Sequence, residues 1–188
     1  HLLDPSQRII DQAAWGNDSG IATTSGSSLE RLVSGAWSTS HTPWPGSTGD
    51  NGSPGALYVV PTDTPESTPI FTTGPPLKII ISEIMPDPSA VNDNAGEYIE
   101  LYNGDVMPVN LKGWSLTDQA NELHIIEVDL ILDPGSHIIL ARNGDVITNG
   151  GVSVAYVYND INLSNSADVL HLLDPSQRII DQAAWGND

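Results

Sequence analysis

The apolar residues of this chain fall in short runs broken by turn residues, with no helical recurrence. Ile79, Ile80, Ile81 and Ile84 form one β-branched run, and Tyr98, Ile99, Leu101 and Tyr102 form a second after an intervening loop. Such runs predict strands, and further ones are expected at 114–117, 123–131, 137–141, 153–158 and 168–173. Asn103-Gly104-Asp105, Asp133-Pro134-Gly135, Asn143-Gly144-Asp145 and Asn149-Gly150-Gly151 supply the turns between them. Within YIELYN, alternation puts Ile99 and Leu101 on one face and Tyr98, Glu100 and Tyr102 on the other, the pattern of a half-buried strand. Nearer the start, Leu2, Leu3, Ile9 and Ile10 flank an Asp4-Pro5-Ser6 turn, which predicts a hairpin with strands near 1–3 and 8–15. Ser28–Val33 offers one more short strand, whereas 38–55 has no apolar period, is loaded with Pro and Gly, and is expected to be irregular. The fold class this predicts is all-β, a sandwich of short strands.

The hairpin block, HLLDPSQRIIDQAAWGND, occurs twice without a difference, as His1–Asp18 and as His171–Asp188, at an offset of 170 residues. That period is far beyond the roughly 20 to 50 residues of solenoids and propellers and corresponds to a domain plus a linker. Residues 61–77 hold five Pro and five Thr in 17 positions. This composition favours an extended spacer at about 3.1 Å per residue. The expected organisation is therefore 1–60 as the closing part of one sandwich, 61–77 as a linker, and 78–188 as the opening and central part of the next. Under that division each part needs strands from a neighbouring copy, joined head to tail. Such a contact is heterologous and would build an open filament.

Charge narrows the partners. The chain carries a formal charge of −18, and one period, leaving out the second copy's three Asp and one Arg, has 21 acids against 5 bases. An acidic surface without a basic stripe repels phosphate backbones and anionic lipid, so neither a nucleic acid nor membrane insertion is expected. The acidity comes from scarce Lys and Arg rather than from acidic runs, and Ser, Thr, Asn and Gly do most of the solvating, a composition expected of an extracellular or cell-surface protein. With no cysteine, disulfides and thiolate metal sites are excluded.

Several motifs appear in order: IISEIM (80–85), GEYIELYN (96–103), PVNLKGWSLTD (108–118), LDPGS (132–136), LSNSADVLHLLD (163–174) and RIIDQAAWG (178–186). Together they resemble the lamin-tail domain, and the ending expected of that family, SLER followed by a Trp and a Pro-Gly turn, sits at Ser28–Arg31, Trp37 and Pro45-Gly46. The resemblance implies an immunoglobulin-like β-sandwich. It also implies a non-catalytic module, of the kind found in secreted or surface bacterial and archaeal proteins as well as in nuclear lamins. Independently of the family, Trp114 is a large core candidate whose indole N–H needs an acceptor if buried. Gly113 before it marks a close backbone approach or a bulge.

Candidate chemistry is sparse. The five histidines include no HExxH and no pair at ligand spacing, and no G-x-S-x-G elbow is present. Glu83, Glu97 and Glu100 are near neighbours in sequence or across strands, yet a small sandwich offers no cleft to place them as paired acids. Asp87, Asn92, Asp93, Asn94 and Glu97 form a loop dense in hard oxygen ligands, so Asp87, Asp93 and Glu97 are the candidate ligands for calcium, without EF-hand spacing. No other cofactor is expected. Glycosylation sequons stand at Asn17, Asn51 and Asn162, and Lys78 and Lys112 are the only lysines available for an isopeptide crosslink. The reading is a non-enzymatic structural repeat whose partners are neighbouring copies. The alternative is an adhesive module for a glycan or protein partner, anchored by Trp44 and Tyr58 in loops.

Overall fold

The computed structural model describes residues 2–3, 9–11, 23–32, 35–55, 79–118 and 122–186. The strands are β1 (Leu2–Leu3), β2 (Ile9–Asp11), β3 (Leu29–Arg31), β4 (Trp37–Thr39), β5 (Ile79–Met85), β6 (Tyr98–Asn103), β7 (Val109–Asn110), β8 (Ser115–Thr117), β9 (Leu123–Ile125), β10 (Ile131–Leu132), β11 (His137–Ala141), β12 (Tyr156–Val157), β13 (Ala167–Leu173) and β14 (Ile179–Gly186), with one helical turn, α1 (Asp93–Gly96), before β6. A six-stranded sheet runs β12-β11-β6-β5-β3-β4 and a four-stranded sheet runs β14-β13-β8-β9. All pairs in them are antiparallel except β11 with β12. The runs read from the sequence as strands near 79–84, 98–102, 137–141 and 168–173 are β5, β6, β11 and β13. The expected strand over 123–131 is two short pieces, β9 and β10, and 37–39, which carries no strand pattern, pairs as β4.

One aliphatic core fills the space between the two sheets. Ile81 and Ile84 of β5, Ile99 and Leu101 of β6, Leu140 of β11, Leu116 of β8, Leu170 and Leu172 of β13 and Trp185 of β14 all belong to it, together with Leu29 and Trp37. Trp185 donates its indole N–H to the Ser164 carbonyl at 2.7 Å, meeting the need of a buried indole. Trp114 is only half-buried and packs against this core from its rim. Gly113, at φ +80°, sits in the turn before it, donating its N–H to the Ile126 carbonyl with Pro175 alongside.

The presence of Leu29 and Trp37 in that core corrects the division expected from the sequence. Residues 23–55 do not await a neighbour: β3 lies between β5 and β4 of the same chain, with Leu29 opposite Ile84 and Glu30 opposite Glu83. The physical reason is the edge of β5, which without β3 would leave a row of unpaired backbone groups beside fully buried isoleucines. Arg31 of β3 ties this join to the other sheet, its guanidinium 2.5 Å from the Asp181 carboxylate of β14, which also accepts the Ile81 N–H. With the sheet completed from within, the expected head-to-tail filament built by strands of successive copies loses its basis. The linker 61–77 lies outside the described residues.

Among the described residues, the strands of the sandwich include those of the second copy of the repeated block. In the second copy β13 pairs with both β8 and β14, whereas β1 and β2 of the first form a separate two-stranded sheet.

Candidate functional site

Strand β6 departs from the half-buried expectation. Its inward face, Ile99 and Leu101, is in the main core, but Tyr98 and Glu100 on the outward face are also buried, with exposures of 1% and 0%. The cover is the turn-rich stretch 40–55, which crosses this face and carries no apolar pattern of its own. Beneath it lies a smaller apolar cluster, Met85, Tyr98, Ile139, Ala141 and Val152, with Trp44 edge-on to Tyr98 at 6.3 Å between ring centres. Trp44, expected as a free anchor for a partner, is thus spent on covering the sheet, and Tyr58 lies outside the described residues.

The distinctive chemistry is a row of three carboxyls across adjacent strands. Glu30 of β3 is in register with Glu83 of β5, and Glu83 is in register with Glu100 of β6. All three are 1% exposed or less. A bulge creates part of this arrangement: between Ile81 and Glu83 the register shifts, so Ser82 is the extra residue on β5 and turns its hydroxyl to Glu100 Oε1 at 2.7 Å. Tyr98 of β6 and the cover supply further donors. Glu83 Oε1 accepts the Tyr98 hydroxyl at 2.6 Å and the Ser53 N–H at 3.1 Å, and Glu100 Oε2 accepts the Gly55 N–H. A Cβ at Gly52 would stand 2.5 Å from Glu83 Oε1 and 2.9 Å from both Ser28 Oγ and Tyr98 Oη, so only glycine lets the loop press this close. Asp50 pins the cover at its other side, its Oδ1 accepting from Ser89 N–H and Oγ and from Ala90 N–H at 2.7–3.0 Å.

Electrostatics follow from burial. Desolvation pushes Glu83 up to about 7, against hydrogen bonds from Ser28 and Tyr98 that pull it down. Glu100 is pushed up to about 8 by burial and by the neighbouring Glu83. Burial also raises Glu30, with Ser53, Ser40 and His41 opposing it. Tyr98 is held well above its ordinary range by burial and by Glu83, and so remains a donor. Like charges directly opposite on neighbouring strands repel, so protons, rather than cations, keep this row quiet. Among the described residues no Lys or Arg pairs with any of the three.

The loop singled out for calcium is arranged differently. Asp87 and Asp93 converge, but on a shared amide: Asn165 Nδ2 donates to Asp87 Oδ1 at 3.1 Å and Asp93 Oδ2 at 3.2 Å. Glu97 points inward instead, its Oε2 accepting from Arg142 at 3.2 Å and from the Leu163 N–H at 3.3 Å. Burial pushes Glu97 up to about 7 despite these partners. Asn92 caps α1 through the Ala95 N–H, and Asn94 is exposed. Among the described residues no group of three or more His, Asp or Glu is placed to hold a metal ion. Of the sequence-level candidates, then, the structure unites Glu83 with Glu100 and separates both from Glu97. Glu30 was missed; the available signal was a glutamate inside each of three strand motifs, LER, ISEIM and YIELYN.

Two sheets packed face to face around one aliphatic core, with a single helical turn among the described residues, define an immunoglobulin-like β-sandwich. The chain belongs to the lamin tail domain family, whose model matches residues 72–187. No curated protein matches the chain.

Proposed function

We propose that this chain is a non-catalytic structural repeat of a long secreted or cell-surface protein, each repeat contributing one closed sandwich to a stalk, with the Pro/Thr-rich stretch falling in sequence between β4 and β5 of the same sandwich rather than between sandwiches. The observation that carries the reading is the in-chain closure by β3, which leaves the 23–55 and 79–186 segments as one complete set of strands per 170-residue period. The glutamate row adds to it. Carboxyls this deeply buried under a backbone cover meet no solvent and no cleft, so they serve the fold rather than acid–base chemistry on a substrate. The strongly acidic, cysteine-free composition suits an outside location and keeps neighbouring repeats apart by like charge.

Sedimentation of the 188-residue chain across a wide concentration range tests the self-contained unit. A single species of 20.0 kDa is expected, and growth into polymers with concentration would restore strand completion between copies. Protease shaving of intact cells tests the location: peptides of this repeat are expected in the released fraction, and their appearance only after lysis would place the protein inside.

A further inference from the structure

The cover over the six-stranded sheet is attached in an unusual way for a buried contact. Residues 40–55 offer the sheet few apolar side chains, chiefly Trp44; one side is anchored by Asp50 on Ser89 and Ala90 and by backbone bonds of Ser40 and Asn51 with 26–28, while over the carboxyl row they reach the sheet through two backbone N–H groups, Ser53 on Glu83 and Gly55 on Glu100. Both carboxyls belong to strands from the other part of the chain, β5 and β6. We propose that residues 40–55 form a proton-controlled clasp, closed on the outer face of the six-stranded sheet while the Glu30–Glu83–Glu100 row retains its protons and loosened when the row ionises.

The argument rests on what surrounds the row. From β3 comes Glu30, from β5 Glu83 and Ser82, and from β6 Tyr98 and Glu100. From β11 comes His137, its Nε2 3.9 Å from Glu100 Oε1, and burial lowers its pKa, so it is neutral where the carboxyls titrate. From the cover come His41, which is exposed, and Asp50, whose Oδ1 is already taken by Ser89 and Ala90. The two bonds from Ser53 and Gly55 favour the charged carboxylates, but they do not outweigh desolvation and the mutual repulsion of three neighbours, since Glu83 and Glu100 are held near 7 and 8. The cover itself supplies part of that desolvation. By linkage, a lid whose closure raises a group's proton affinity is pushed open when the group loses its proton.

Hydrogen exchange read by mass spectrometry on the full chain at about pH 5 and about pH 9, corrected for intrinsic exchange, tests the clasp. Amides in 40–55 should lose about tenfold or more of their protection at the higher pH, while Ile139–Ala141 in the same sheet keep theirs. The doubly neutral variant, Glu83→Gln with Glu100→Gln, should hold its protection at both. If that variant does not fold, the single variant Glu100→Gln should shrink the pH response, and wild-type Trp fluorescence should report the exposure of Trp44. Equal wild-type protection of 40–55 at the two pH values, or an unchanged pH response in the variants, overturns the proposal.

Discussion

On one side of β6, Ile99 and Leu101 are buried by side chains from the opposing sheet; on the other, Tyr98 and Glu100 are buried just as fully by a loop that brings mostly backbone. The inner face is stabilised by removing apolar area from water, which is indifferent to pH. The outer face is stabilised only as far as its polar groups are satisfied and uncharged. Equal burial thus conceals two mechanisms, and each responds to a different perturbation. Leu101→Ala should lower the unfolding free energy by about 2–5 kcal/mol, alike in acid and in alkali, as measured by denaturant titration. Glu83→Gln with Glu100→Gln should do the opposite, raising stability by about 1–3 kcal/mol above pH 8 and hardly changing it below the ordinary carboxylate range. The sign follows from the direction of the shifts. Both groups bind protons more tightly folded than unfolded, so their contribution is full below the ordinary value of 4.5 and is lost as pH rises through about 7 and 8. A wild-type ladder contribution that grew with pH would reverse this reading of the outer face. The smallest effect is expected just before β6, where Asp87 and Asp93 share an amide and Glu97 has Arg142. There, millimolar calcium added to chelator-treated protein should leave the melting temperature unchanged, and a rise would show that a cation can displace Asn165 from between the two carboxylates.

This contrast also marks how far the sequence could be read. The inner face was legible because β-branched runs such as Ile79–Ile81 and the alternation of Ile99 and Leu101 announce strands that need a second sheet. The outer face was not, because its cover has no periodicity: Asp50, Gly52, Ser53 and Gly55 act through backbone donors, one carboxylate and the absence of a Cβ, none of which leaves a hydrophobic pattern. The placement of 23–55 escaped for another reason. Motif order along the chain assigns SLER to the end of a domain, whereas what decides its position is the unpaired edge of β5, a property of the assembled sheet.

The described strand residues of the two copies pair with the same irregularity: Leu2 opposes Asp11 and Leu3 opposes Ile9, as Leu172 opposes Asp181 and Leu173 opposes Ile179, with the register slipping at the same leucine pair. That strand pairing therefore recurs in two different surroundings. For the gene, such a block is a neutral crossover point. Recombination between two copies alters no residue within them and adds or removes 170 residues at a time, which is β3 through β14 once each. In the array proposed above, length would then change in whole sandwiches, leaving no half-built sheet behind.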